Sequence, residues 1–169
     1  ITQHKLKNFN EAIKSFQNTF NIQNKFDQAY SNLGNTYYEI GNVELAMKNY
    51  KLAIEINPSS SIAYNNLGNV FKDQGIYNEA LKNYEISIKL QPNEAETFNN
   101  LGNVQSNIDK LDEAILSYKK AIQLNPKYFE CYHNLGNAYS KKKDLLKAIK
   151  YYEKSYEINN DYSSALVSS

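Results

Sequence analysis

The side chains that could carry out catalysis or bind a metal are few in this sequence. Its 169 residues include one cysteine, Cys131, and two histidines, His4 and His133. The histidines are far apart along the chain, and no pair among His, Cys, Asp and Glu has the spacing of metal ligands. Cys131 is interpreted as a small buried residue rather than a nucleophile, because equivalent positions elsewhere in the chain hold alanine or threonine. The sequence therefore predicts no catalytic, cofactor or metal site, and no enzyme activity in this segment.

The charge pattern disfavours nucleic acid and membranes as partners. The net charge is +1, which gives no electrostatic reason to expect binding to a polyanion. All 19 basic residues are lysine, so the planar guanidinium fork that binds phosphate or carboxylate is absent. No apolar run approaches the length that spans a membrane. A single cysteine fits a reducing compartment, and we expect an intracellular, cytoplasmic protein.

The elements that would position any functional residue follow from a repeat of 34 residues. The tetrapeptide Asn-Leu-Gly-Asn occurs four times, at residues 32–35, 66–69, 100–103 and 134–137. A fixed period of this size indicates a tandem array of one supersecondary unit. When each unit is numbered from 1 to 34, position 4 is aromatic, position 7 is leucine, position 8 is glycine, position 20 is alanine and position 24 is tyrosine. Position 32 is proline in three units and Asn160 in the fourth.

This pattern resembles the tetratricopeptide repeat (TPR), with Gln105 and Asn160 as departures at an aromatic and a proline position. The resemblance implies an all-α, right-handed superhelical solenoid of tandem antiparallel helix pairs. Helix A would cover about the first fourteen positions of each unit and helix B about positions 18 to 31. Glycine at position 8 and alanine at position 20 would let the two helices approach closely, so Gly68→Leu is expected to cost several kcal/mol by overpacking.

We predict one domain, with full repeats at residues 27–60, 61–94, 95–128 and 129–162. Residues 1–26 fit the same frame as a partial repeat, and residues 163–169 would begin a further or capping helix. The chain begins inside a repeat, so we expect it to be a piece of a larger protein. Helix A would end at position 15, which holds Gly41, Gly75, Asp109 and Lys143. The predicted N-caps of helix B are Asn10, Asn78 and Asp112.

The resemblance also implies a binding surface on helix A, which lines the concave face of TPR arrays through positions 2, 5, 6, 9, 12 and 13. In this sequence these positions are polar, nearly neutral in charge and rich in carboxamides. The predicted peptide-binding residues are Asn32, Asn35, Tyr38, Asn65, Asn66, Asn69, Lys72, Asp73, Glu96, Asn99, Asn100, Asn103, Glu130, His133, Asn134, Asn137 and Lys141. TPR domains that hold the C-terminal carboxylate of heat-shock chaperones use cationic residues at positions 2, 5 and 6, which are missing here, so that partner is not expected.

Three functions remain open from the sequence. The first is a scaffold that binds an extended segment of a partner protein in the asparagine-lined groove. The second is the substrate-recruiting arm of a larger enzyme, because the groove asparagines are most similar to those of O-linked N-acetylglucosamine transferases. The third is self-association through residues 1–26, where an apolar helix face lacks most of its covering partner. The asparagines at positions 6 and 9 would bind a peptide backbone or only bond neighbouring helices.

Overall fold

The computed structural model describes the backbone of residues 26–167 and the side chains of residues 27–160. Over this range the chain forms eight helices and no strand, so the predicted all-α class is confirmed there. The partial repeat predicted at residues 1–26 lies outside the described residues except for Phe26, and so do the proposed self-association through it and the predicted cap Asn10. The helices are α1 (Phe26–Glu39), α2 (Val43–Ile56), α3 (Ser61–Asp73), α4 (Tyr77–Leu90), α5 (Ala95–Asn107), α6 (Leu111–Leu124), α7 (Phe129–Lys141) and α8 (Leu145–Val167).

Consecutive helices pack in pairs, and each pair is one repeat: α1 with α2, α3 with α4, α5 with α6, and α7 with α8. The chain divides into two compact units, residues 1–90 and 91–169. In the first unit, α3 also packs against α1 and α2. In the second unit, α7 packs in the same way against α5 and α6. The neighbouring helices A of one unit therefore lie side by side. No helix in the described part of the chain is both long enough and apolar enough to cross a membrane.

The close approach of helices A and B depends on glycine at position 8, as predicted. A Cβ atom added to Gly68 would lie 2.7 Å from Cε1 of Tyr84, which is far inside van der Waals contact. Gly34, Gly102 and Gly136 have the same relation to the tyrosine sixteen residues further on. The tyrosine ring thus rests directly on the backbone of helix A. The alanines at position 20 complete the contact, with no more than 2% of each exposed in the four repeats.

The start of helix B differs from the prediction. Each helix B begins at position 17, so Asn78 and Asp112 are the second residues of α4 and α6 and are not N-caps. The cap position is 16. Asn42 occupies it in the first full repeat, and its side chain accepts a hydrogen bond of 3.2 Å from the backbone N–H of Leu45. Asp144 accepts an equivalent bond of 3.2 Å from Lys147. Polar residues at position 18 misled the prediction because they are also favourable in a first helical turn.

In all four repeats helix A is followed by a left-handed residue at position 15, the position where the sequence predicts the helix to stop. Gly41 and Gly75 have φ of 81° and 73°. Asp109 and Lys143 adopt the same conformation, with φ of 58° and 62°, although both carry a Cβ. Two backbone bonds hold Lys143 there: its N–H donates to Ser140 at 2.9 Å, and the next N–H donates to Tyr139 at 3.0 Å.

The last helix is longer than the repeat pattern predicts. The other helices B end two residues before a proline, whereas α8 continues unbroken to Val167. Residues 163–167 therefore extend α8, which corrects the prediction that a separate helix begins at residue 163. The physical reason is Asn160, which keeps the backbone N–H that proline lacks and does not clash with the preceding turn.

Candidate functional site

The asparagines at position 9 are bonded within their own repeat. The tyrosine hydroxyl at position 24 donates to the side-chain oxygen of the asparagine fifteen residues earlier. The donor–acceptor distances are 2.7 Å for Tyr50 and Asn35, 2.7 Å for Tyr84 and Asn69, 2.9 Å for Tyr118 and Asn103, and 2.8 Å for Tyr152 and Asn137. Burial raises the pKa of Tyr50 and of Tyr118 above the usual value, which keeps these hydroxyls protonated as donors. Each Leu-Gly-Asn triplet therefore contacts and orients the tyrosine of its own repeat.

Two of the asparagines at position 6 connect neighbouring helices A. In the first unit, Nδ2 of Asn66 donates to Oδ1 of Asn35 at 2.8 Å. In the second unit, Nδ2 of Asn134 donates to Oδ1 of Asn99 at 3.0 Å. Asn100 is buried, whereas Asn32 is exposed. These contacts support the helix-bonding role for Asn66 and Asn134, and their binding to a peptide stays a prediction.

Positions 12 and 13 form a second set of contacts between helices A. The hydroxyl of Tyr38 donates to the carboxylate of Asp73, and Lys72 lies 3.4 Å from the same carboxylate. Burial, together with the hydrogen bond and charge of Asp73, raises the pKa of Tyr38 to about 12. In the second unit, Nζ of Lys141 donates to the backbone oxygen of Ser106 at 2.9 Å. The ends of adjacent helices A are thus joined by side chains that the sequence assigned to peptide binding.

Other predicted residues keep an exposed polar group on the face of helix A. Glu96, Glu130, His133 and Asn137 are exposed, and Asn69 and Asn103 are half-buried. Asn65 differs, because its Oδ1 atom is buried without a hydrogen-bond partner. The predicted surface therefore combines groups that are used between helices with groups that face solvent.

A cleft of about 470 Å³ lies between α7 and α8 in the second unit. Its lining residues are Phe129, Glu130, His133, Asn134, Tyr152, Ser155, Tyr156 and Asn159. The rings of His133 and Tyr152 meet at a centroid distance of 5.3 Å. Ser155 donates its hydroxyl to the backbone oxygen of Phe129 at 2.8 Å, which holds the two walls together. Three predicted residues, Glu130, His133 and Asn134, are brought together here.

The sequence prediction missed the wall of this cleft that helix B supplies. Tyr152, Tyr156 and Asn159 lie on α8, whereas the repeat pattern assigns the binding face to helix A. One signal was present in the sequence. Position 28 is isoleucine in the first three full repeats and Tyr156 in the fourth, so this repeat alone has a large amphipathic side chain there.

The described residues contain no cluster of three or more His, Cys, Asp or Glu that could hold a metal ion. Cys131 is fully buried, as predicted, and its thiol donates to the backbone oxygen of Tyr118 at 3.4 Å. Burial, assisted by the charge of Glu130, raises the pKa of Cys131 to about 12. The thiolate form that attacks electrophiles is therefore scarce at neutral pH.

Family comparisons agree with this architecture. A family model described as "TPR repeat" matches residues 34–75, 68–109 and 108–143. A second model, described as "Tetratricopeptide repeat", matches residues 129–162. No curated protein matches the sequence closely enough to be counted as a relative.

Several solved structures have the same fold. A crystal structure of MamA is 25% identical, with a TM-score of 0.82, and the match covers 96% of this chain and 95% of that chain. MamA from Desulfovibrio magneticus RS-1, beginning at its residue 41, is 20% identical with a TM-score of 0.79, over 94% of this chain and 91% of that one. Pseudomonas aeruginosa PilF is 30% identical with a TM-score of 0.75, over 79% of this chain and 61% of that one. The predicted class, a TPR-type solenoid of helix pairs, is confirmed.

Proposed function

The chain belongs to the tetratricopeptide-repeat family of protein-interaction scaffolds, and we propose that its helix A face binds an extended segment of a partner protein. TPR repeats are in general non-catalytic, which fits a role in binding rather than turnover. The observation that carries the proposal is the cleft between α7 and α8. Glu130, His133 and Asn134, which the repeat pattern assigned to peptide binding, line it together.

The spacing of the helices suits an extended chain. Packed helices lie about 8–10 Å apart, and an extended peptide advances about 3.3 Å per residue. Within one unit, each helix A would therefore meet roughly every third residue of a bound peptide. A carboxamide can donate to a peptide carbonyl and accept from a peptide N–H, so recognition of the backbone needs no particular peptide sequence.

The hydrogen bonds in the structure limit which atoms can take part. The side-chain oxygens of Asn69, Asn103 and Asn137 accept the tyrosine hydroxyls, so the amide groups of these residues are the atoms that would donate to a peptide carbonyl. Asn66 and Asn134 use their amide groups on neighbouring helices. We therefore infer that position 9 contributes donors to the bound peptide, and that specificity comes from side chains such as Lys72, Glu96 and His133.

The test is selection of peptides from a displayed library of random decapeptides, followed by mapping of the selected peptide on the protein by amide NMR. Amide shifts should concentrate on helices A, and His133→Ala should weaken binding about tenfold, the effect of a central contact residue. Lys82→Ala, an exposed change on α4 outside the predicted face, is the control and should leave affinity unchanged. Shifts confined to helices B, or equal affinity for the His133 variant, would contradict the proposal.

The enzyme-arm alternative uses the same face and the same asparagines, so these variants test its binding step as well. It differs in requiring a catalytic domain in the same protein. Self-association through residues 1–26 is tested by comparing the mass in solution of this chain with that of a chain extended by the upstream helix. The extended chain should be monomeric if the half-repeat causes association, and equal masses would contradict that idea.

A further inference from the structure

The cleft between α7 and α8 has an unusual combination of lining groups. Two tyrosines of α8 form one wall, and Glu130 of α7 lies on the other. Glu130 is the only acidic side chain among the lining residues that the structure describes, and no lysine lines the cleft. The cleft therefore places one carboxylate beside aromatic surface.

The aromatic wall is accessible to a ligand. Tyr156 is 68% exposed, so its ring is not covered by other parts of the described chain. The hydroxyl of Tyr152 is held by Asn137 at 2.8 Å, and its ring packs against His133, which fixes the orientation of the wall. The volume of about 470 Å³ lies within the range of ordinary small-molecule pockets and is ample for one long side chain.

We propose that this cleft receives an arginine side chain of the bound segment. The inference rests on the proposed function, because the arginine belongs to the partner segment that is proposed to bind helices A. A guanidinium group is planar, stacks on tyrosine and pairs with a carboxylate through two parallel hydrogen bonds. An aromatic wall opposite a single carboxylate offers both contacts. A lysine ammonium could use the charge of Glu130 but not the stacking, so arginine is favoured over lysine.

The composition of the chain identifies the source of the occupant. None of the 169 residues is arginine, so these residues in a second copy cannot supply the guanidinium group. The arginine therefore comes from outside these 169 residues, in the extended segment of a bound partner. The negative charge of Glu130 would select against an acidic residue at the same place.

The experiment titrates this protein with N-acetyl-arginine amide and follows the amide signals by NMR. The matched probes are the lysine analogue and the citrulline analogue, which has nearly the shape of arginine but no charge. Saturable shifts should appear around His133 and Tyr156 with arginine, smaller ones with lysine, and none with citrulline. Equal shifts with arginine and citrulline, or shifts spread over the whole surface, would overturn the proposal.

Variants locate the binding groups. Glu130→Gln should weaken arginine binding about tenfold, the size of one charge-assisted hydrogen bond, and Tyr156→Ala should remove the preference for arginine over lysine. Glu153→Gln removes the same charge from an exposed position on α8 outside the cleft and should have no effect. If Glu130→Gln and Glu153→Gln weaken binding equally, the arginine is held only by the general negative charge of this surface, and the proposal fails.

The two proposals fail separately. The blocked amino acid occupies only the cleft, so its binding does not depend on contacts elsewhere on helices A. If it binds as expected while the selected decapeptides bind to helices B, the arginine site stands and the proposed function fails. If decapeptides bind on helices A without enrichment of arginine, the proposed function stands and the arginine site fails.

Discussion

The Leu-Gly-Asn triplet and the tyrosine of helix B act as one structural unit. Glycine lacks the Cβ atom that would collide with the ring, and the following asparagine accepts a hydrogen bond from the tyrosine hydroxyl. The sequence was sufficient to predict the role of the glycine, because close helix packing requires a small residue at that point. The bond from tyrosine to asparagine could not be predicted, since a spacing of fifteen residues has no meaning until the turn between the helices is known.

Replacing Gly68 by alanine should already destabilise the protein. The new Cβ would lie 2.7 Å from the ring of Tyr84, and overpacking of this kind costs about 1–3 kcal/mol. In a Tyr84→Leu background the same change should be neutral or favourable, since alanine is the better helix former by about 1 kcal/mol. Urea denaturation of the four proteins measures the coupling. Equal costs in both backgrounds would show that the ring contact is not the cause.

Alkaline pH should destabilise the protein through Cys131. Its pKa is about 12 when folded and 9 otherwise, so the thiol keeps its proton longer in the folded state. The contribution to stability is complete below about pH 9 and is lost as the pH rises from 9 toward 12. The Cys131→Ala variant has no thiol and so lacks this pH-dependent contribution to stability. Alanine occupies the equivalent position in two other repeats.

The stability advantage of the parent over Cys131→Ala should therefore shrink above pH 9, by up to about 1.4 kcal/mol per pH unit. Chemical denaturation at pH 7.5, 9 and 10 measures this difference, and comparison with the variant cancels the titration of tyrosines that do not interact with Cys131. A difference that stays constant across this range would contradict the assignment of the effect to the buried thiol.

At the scale of the helices, the bounds predicted from the repeat agree with the structure to within about a residue, except at the end of α8. Packing positions recur every 34 residues and fix both the helix phase and the turn at position 15. The caps were less predictable, because asparagine and aspartate suit both the cap and the first turn. The side chains of Asn42 and Asp144, which accept hydrogen bonds from the backbone of Leu45 and Lys147, identify position 16 as the cap.

Asn42→Ala should destabilise the protein by about 1 kcal/mol, because the backbone N–H of Leu45 loses its partner. Asn78→Ala is the matched change at position 18, where the sequence predicts a cap. Asn78 is the second residue of α4 and is exposed to solvent. Its replacement should therefore alter stability by less than about 0.5 kcal/mol. Thermal denaturation of both variants tests the assignment, and a larger loss for Asn78→Ala would reverse it.

Asn160→Pro should shorten α8 so that it ends at Ile158, as the three other helices B end at the equivalent position. Proline removes one backbone donor and clashes with the preceding turn, at a cost of about 3 kcal/mol inside a helix. NMR carbon chemical shifts should remain helical up to residue 158 and lose that character beyond it. Helical shifts that persist to Val167 in the variant would contradict this account of the extended helix.

At the scale of the whole molecule, the face assigned to peptide binding also holds neighbouring helices A together. The sequence predicts which residues lie on that face, but not which of their polar atoms are already bonded. Asn66 and Asn134 look equivalent in sequence, yet they donate to position 9 in one unit and to position 5 in the other. The aromatic wall of the cleft was missed for a related reason, since it comes from the helix that the repeat pattern assigns to the opposite layer.

The combined variant Asn66→Ala, Asn100→Ala, Asn134→Ala separates binding from structure. It loses the bonds to Asn35 and Asn99, so we expect it to be less stable by about 2–3 kcal/mol but folded at 10 °C. If these carboxamides also bind the partner, the affinity for a selected decapeptide should fall more than about tenfold in fully folded protein.

The control for that experiment is Asn49→Ala, Asn83→Ala, which removes carboxamides from helices B. Both side chains are 6% exposed and donate to the carbonyl of the preceding turn, at 2.7 Å and 2.8 Å. A comparable loss of stability is expected, with no change in peptide affinity, because neither residue lies on the helix A face. If the triple variant binds as tightly as the control once both are folded, the position-6 asparagines serve only to join the helices, and recognition must come from position 9 and the cleft.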